Sequence, residues 1–103
     1  MAIIRIVRLS FKNENIEDFL RLFTKSKDII LNFDGCLSLD IYKDYHHPNV
    51  YYTYSQWMSQ ESLDNYRMSP FFKETWDKTK ALFNDKPQAF SLSEMDLHST
   101  IKS

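Results

Sequence analysis

Residues 35–72, GCLSLDIYKDYHHPNVYYTYSQWMSQESLDNYRMSPFF, decide how the rest of the chain is read. The stretch holds the only glycine, the only cysteine and one of two tryptophans. Cys36–Tyr45 alternates, with Leu37, Leu39 and Ile41 on one side and Ser38, Asp40 and Tyr42 on the other, the period-two pattern of a strand. KDYHHPN, residues 43–49, is a turn punctuated by Pro48 and Asn49. VYYTYSQW, residues 50–57, is the returning strand, with Val50, Tyr52 and Tyr54 on one face and Tyr51, Thr53, Ser55 and Trp57 on the other. Large groups on both faces mark a central strand, covered on two sides. A short helix is expected over 58–68, capped by Ser59, and Pro70 restarts a helix at its first turn with Ser69 as cap. Gly35 is expected at a positive φ, at the reversal into the first of these strands.

Toward the N-terminus, AIIRIVRLSF at 2–11 is rich in β-branched residues. Ile3, Arg5, Val7, Leu9 and Phe11 share one parity and Ile4 and Ile6 the other, so this strand is also covered on both sides in its first half. Arg5 on the Val7 face either runs to a strand end, as long basic side chains do, or stands in a pocket facing an anionic group. Asn13 is expected to cap a helix over 14–32, with Glu14, Glu17 and Asp18 at its positive end. Ile16, Phe19, Leu20, Phe23 and Ile30 form its apolar stripe. Toward the C-terminus, Phe71, Phe72, Trp76 and Leu82 continue the second helical region to about 83, and 88–96 is a last strand. Residues 97–103 read as a tail, ordered only if a partner holds it.

At 103 residues the chain is one domain, placed at 1–96. Its formal charge of −1 gives no footprint for nucleic acid or an anionic membrane surface. No run approaches the ~18 apolar residues of a membrane span. The early charges of MAIIRIVRL do not suit a signal peptide, and a lone cysteine makes no internal disulfide. These features are those expected of a cytoplasmic domain. Cys36, beside an apolar run, reads as a small buried hydrophobe. His46 and His47 are adjacent and diverge, which suits a solvated loop or a proton-transfer group at a pocket mouth better than a metal site.

The order βαββαβ is that of an α+β ferredoxin-like plait, with a four-stranded antiparallel sheet and helices on one face. The strands are apolar on both parities, so the second face needs a cover. At this chain length the cover is a second subunit, which makes a sheet-on-sheet homodimer the expected assembly.

Gly35-Cys36 ahead of a strand, Pro48 before an aromatic strand, and Q-W-x-S-x-E-S-L-x-x-Y-x-x-S-P-F-F over 56–72 resemble the antibiotic biosynthesis monooxygenase family, over roughly residues 3–95. The resemblance implies a dimeric α+β barrel and points to cofactor-independent oxidation of small phenols or hydroquinones. Trp57 agrees with the tryptophan that commonly ends the family's third strand. Ser55, Tyr66 and Phe71 stand where the family often has a glutamate and two histidines. The residue set of the haem-degrading relatives is not found here. On this basis the expected pocket is lined by Tyr52 or Tyr54 with Trp57, Tyr66, Phe71, Phe72 and Trp76. Arg5 would stabilise a substrate anion, His46 or His47 would take the proton, and Tyr66 would orient the ring, with no cofactor. The other reading is a non-catalytic barrel that binds a small aromatic metabolite.

Overall fold

A computed structural model describes residues 2–95; the expected tail at 97–103 lies outside the described residues. The elements are β1 Ile3–Ser10, a 3-10 turn Asn13–Asn15, α1 Ile16–Leu31, β2 Cys36–Lys43, β3 Val50–Trp57, α2 Gln60–Arg67, α3 Pro70–Lys80 and β4 Gln88–Ser93. They form one four-stranded sheet in the order β2-β3-β1-β4, antiparallel at every pairing. This is the ferredoxin-like plait, with the β-branched β1 and the aromatic-rich β3 at its centre.

Register fixes which side chains face the helices. Ile3 lies opposite Trp57, Arg5 opposite Ser55, Val7 opposite Thr53 and Leu9 opposite Tyr51. On the other flank Arg5 pairs with Ser91 and Val7 with Ala89. Because successive side chains alternate, Ile4, Ile6, Tyr52 and Tyr54 point to the opposite, outer face. There Tyr42, Phe90 and Leu92 are 57%, 49% and 47% exposed. Leu37, expected beside Leu39, is 53% exposed instead. The register shifts between Cys36 and Ser38, and the bulge throws the extra residue outward.

The helix-covered face carries two core clusters. Leu9, Phe11, Phe19 and Tyr51 form one, and Ile30, Leu39, Trp57 and Leu63 the other. Phe11 and Trp57 are the largest fully buried side chains, each worth on the order of 3 kcal/mol of apolar burial. Leu20 departs from the expected stripe of α1 and is 37% exposed.

Most helix ends follow the sequence. Ser59 Oγ accepts from Ser62 N at 3.1 Å. Ser69 Oγ accepts from Phe72 N at 3.1 Å and donates to Tyr66 O at 2.6 Å, so one hydroxyl ends α2 and starts α3. Asn13 does not cap α1. It opens the 3-10 turn, and the residue before the helix is Asn15, whose amide instead donates to Leu82 O at 3.3 Å. α3 stops at Lys80, short of the expected 83, because the chain turns back to β1: Lys12 N donates to Leu82 O at 3.3 Å, and Phe11 bridges Phe83. Gly35 has φ 85°, and a Cβ there would run into the Ser62 side chain. The only glycine therefore permits both the reversal and the close seating of α2.

Candidate active site

Between the sheet and the helices lies a cavity of about 250 Å³. Its floor is the face that carries Arg5 and Val7 of β1 and Thr53, Ser55 and Trp57 of β3. α1 closes one side with Phe23, Ser26 and Ile30, each a turn or so apart. α2 supplies Leu63, Tyr66 and Arg67, and α3 supplies Phe72, Thr75 and Trp76. Of the described lining residues only Arg67 and Ala89 are exposed, which puts the mouth between the end of α2 and β4.

Two stacked aromatic pairs form the walls. Trp57 and Tyr66 lie 5.0 Å apart at 23°, and Phe72 and Trp76 lie 6.0 Å apart at 12°. Tyr66 and Phe72 meet edge-on at 5.1 Å and join the pairs. Flat walls of this kind suit a flat organic ligand.

Several polar groups of the lining are used by the protein itself. Trp57 Nε1 donates to Ser55 Oγ at 3.0 Å, and Ser55 Oγ donates to Arg5 O at 3.5 Å. Ser26 and Thr79 hydroxyls donate to the carbonyls of Leu22 and Thr75 at 2.8 Å. Arg5, Arg67, the phenol of Tyr66 and the hydroxyls of Thr53 and Thr75 remain to meet a ligand. Arg5 Nη1 donates to Ser91 Oγ at 2.9 Å, which holds the guanidinium across the sheet toward β4. Burial lowers its pKa, the charge of Arg67 lowers it further, and Asp64 partly offsets both. Burial raises the pKa of Tyr66, with a further push from Cys36. The phenol is thus a neutral hydrogen-bond donor near neutral pH. Burial likewise raises the pKa of Cys36, against a backbone hydrogen bond to Ser38, so its thiol stays protonated.

Of the expected site residues, the structure brings Arg5, Trp57, Tyr66, Phe72 and Trp76 to one cavity. Tyr52 and Tyr54 do not line it. They pair with Arg8 and Ile6 and face the outer side, where the Tyr52 hydroxyl donates to Asp44 at 3.1 Å and Tyr54 meets Tyr42 edge-on. Phe71 does not line it either, because one residue along a helix turns the side chain by about 100°. It packs beside Phe33, with ring centroids 6.0 Å apart, in the core cluster of Trp57. His46 and His47 are exposed on the β2–β3 turn, their backbone N–H groups both held at 3.0 Å by Asp44. Neither is among the cavity's lining residues. Arg67 was not anticipated. Its signal was the spacing Leu63, Tyr66, Arg67, which puts a cation on the same helix face as two inward residues.

A plait with a hollow, aromatic-walled core under its helices defines the class: a small α+β domain built around a ligand-sized cavity. The chain belongs to the antibiotic biosynthesis monooxygenase family, whose model matches residues 2–78. No curated protein matches it. Among solved structures, a conserved protein from Methanosarcina mazei is similar, with TM-score 0.88 and 20% identity over 92% of this chain and 94% of that one. A protein from Mycobacterium tuberculosis has TM-score 0.85 and 19% identity over 93% and 97%. A variant of SnoaB, a cofactor-independent oxygenase from Streptomyces nogalater, has TM-score 0.81 and 13% identity over 92% and 94%. At these identities the likeness is one of fold. Among the described residues no helix is long and apolar enough to cross a membrane.

Proposed function

We propose that this protein is a cofactor-independent monooxygenase that acts on a small phenol or hydroquinone-like aromatic compound. The observation that carries this reading is the cavity of about 250 Å³, walled by two aromatic pairs and joined to an arginine and a protonated phenol. A phenol with a free ring C–H reacts with dioxygen to give a quinone and water. One oxygen atom enters the ring carbon, the other leaves as water, and the substrate supplies all the electrons. The protein's part is to bind the ring, favour its anion and admit oxygen. Arg5 stabilises the phenolate electrostatically. Tyr66 donates to the substrate oxygen and orients the ring. The phenolic proton leaves through the mouth to a base in solvent; His46 and His47 are assigned no part.

Oxygen uptake with a panel of dihydroquinones tests this. Uptake that requires folded protein and survives chelators is the expected result. Binding without uptake across the panel would favour a non-catalytic barrel for an aromatic metabolite.

The outer face of the sheet is proposed to pair with that of a second copy. Tyr42, Phe90 and Leu92 on that face are about half exposed, beside Ile4, Ile6 and Tyr54. Light scattering should give twice the chain mass of 12.4 kDa; a monomer would refute the pairing.

A further inference from the structure

Among the described residues, Arg5 and Arg67 are the only charged groups in the cavity lining, and no carboxylate lines it. Among the described residues neither arginine takes part in an ion pair. The carboxylate that Arg5 feels is Asp64, outside the lining and bound by Gln60 Nε2 at 2.8 Å. Two guanidinium groups therefore share one end of a largely apolar cavity, with Asp64 acting on Arg5 only from outside the lining and, among the described residues, no ion-pair partner for either. Like charges brought together and partly desolvated are unfavourable until an anion arrives. A single phenolate answers one of them. The second calls for another negative group on the same ligand, and a planar fork of donors matches a carboxylate best.

We infer that the ligand is an aromatic acid bearing its carboxylate beside the ring hydroxyl, with Arg5 and Arg67 holding the carboxylate–hydroxyl edge at the mouth and the ring lying inward between the aromatic pairs. This rests on the reading that the cavity is the ligand site, and it names the substrate class for that site. Arg67 is a specificity residue: it selects the acid and takes no part in oxygen transfer. Arg5 itself is held by its 2.9 Å hydrogen bond to Ser91 Oγ.

The test is calorimetric titration with ortho-hydroxynaphthoate and with its carboxamide, which has the same shape but no charge. Wild-type protein should bind the acid about tenfold or more tighter than the amide, the size expected of charge-assisted hydrogen bonds. Arg5→Met and Arg67→Met should each lower affinity for the acid by a larger factor than for the amide, which keeps the hydroxyl but lacks the charge. Arg67 is exposed at a helix end, so its variant folds even if that of Arg5 does not. Equal binding of acid and amide by wild type, or a preference that survives Arg67→Met, would overturn this inference and leave the cavity reading standing. Binding of neither compound would overturn both.

Discussion

The two ends of the helix-covered face are built from the same residue types and do different things. At the Phe11 end the rings are stacked solid: Phe11 lies 4.1 Å from Phe19, 5.3 Å from Phe83 and 6.3 Å from Tyr51. The backbone closes around them. Phe11 N donates to Asn49 O at 3.0 Å, Asn84 N donates to Ser10 O at 3.1 Å, and Ser10 Oγ donates to Asn84 Oδ1 at 2.6 Å. Toward Trp57 the rings pair off against each other and leave a void with arginines at its edge, and Phe19 and Trp76 border both the void and the solid cluster. Aromatic content alone therefore does not separate core from site. What separates them is whether the rings fill the space between layers or wall it.

This contrast has measurable consequences. The largest is in stability at the solid end. Phe11→Ala should cost about 3–5 kcal/mol in a urea melt. Phe72→Ala, at a half-buried ring already facing a void, should cost less than about 2 kcal/mol while weakening aromatic ligands. Equal costs would erase the distinction between the ends. Next is the hinge that seats α2. Gly35→Ala imposes a positive φ on a side chain and drives its Cβ into Ser62, an expected loss of about 1–3 kcal/mol. An unchanged melt would show that α2 shifts freely.

Tyr66→Phe should leave stability at neutral pH within about 0.5 kcal/mol and reduce oxygen uptake by up to about tenfold, the worth of one hydrogen bond. The pH arm has a defined sign. Burial and Cys36 raise the folded-state pKa of Tyr66 above its ordinary value of 10.0, so the native state holds this proton after the unfolded chain has lost it. Stability then falls as pH rises past 10, and the Phe variant should fall less steeply. A matching alkaline slope in both proteins would show that the phenol is not desolvated.

The smallest effect belongs to the hairpin turn. The His46 N–H, chiefly, lowers the Asp44 pKa, with the His47 N–H and the Tyr52 hydroxyl adding to it against a desolvation cost. Its contribution is present above the ordinary carboxyl range and fades as pH falls through the lowered value. Asp44→Asn should change melting slightly at neutral pH and not at all in strong acid, with oxygen uptake unchanged. A drop in uptake would connect the turn to the cavity.

The fold could be read from the chain because two periodicities, two capping serines and one glycine agree with each other. The site could be read only in part. Aromatics occupy both parities of β3, so sequence could not say whether Tyr52 and Tyr54 or Trp57 faced the helices; the register of Ile3 against Trp57 settles it. Phe71 and Phe72 are neighbours in sequence and a third of a turn apart on the helix, so one is core and one is wall. The bulge at Cys36/Ser38 carries no residue signature that would have exposed Leu37. Arg67 was legible as a helix-face cation but took its meaning from Arg5, which is distant in sequence and meets it only across the cavity.

The central claim is that the hollow end receives a flat aromatic acid. Both tryptophans of the chain line the cavity, so their indole N–H resonances report on it directly. Titration with ortho-hydroxynaphthoate should move both indole signals and the Tyr66 ring signals, leaving those of Phe11 in place. Indole signals that stay still while Tyr54 and Ile6 on the outer face move would contradict the account.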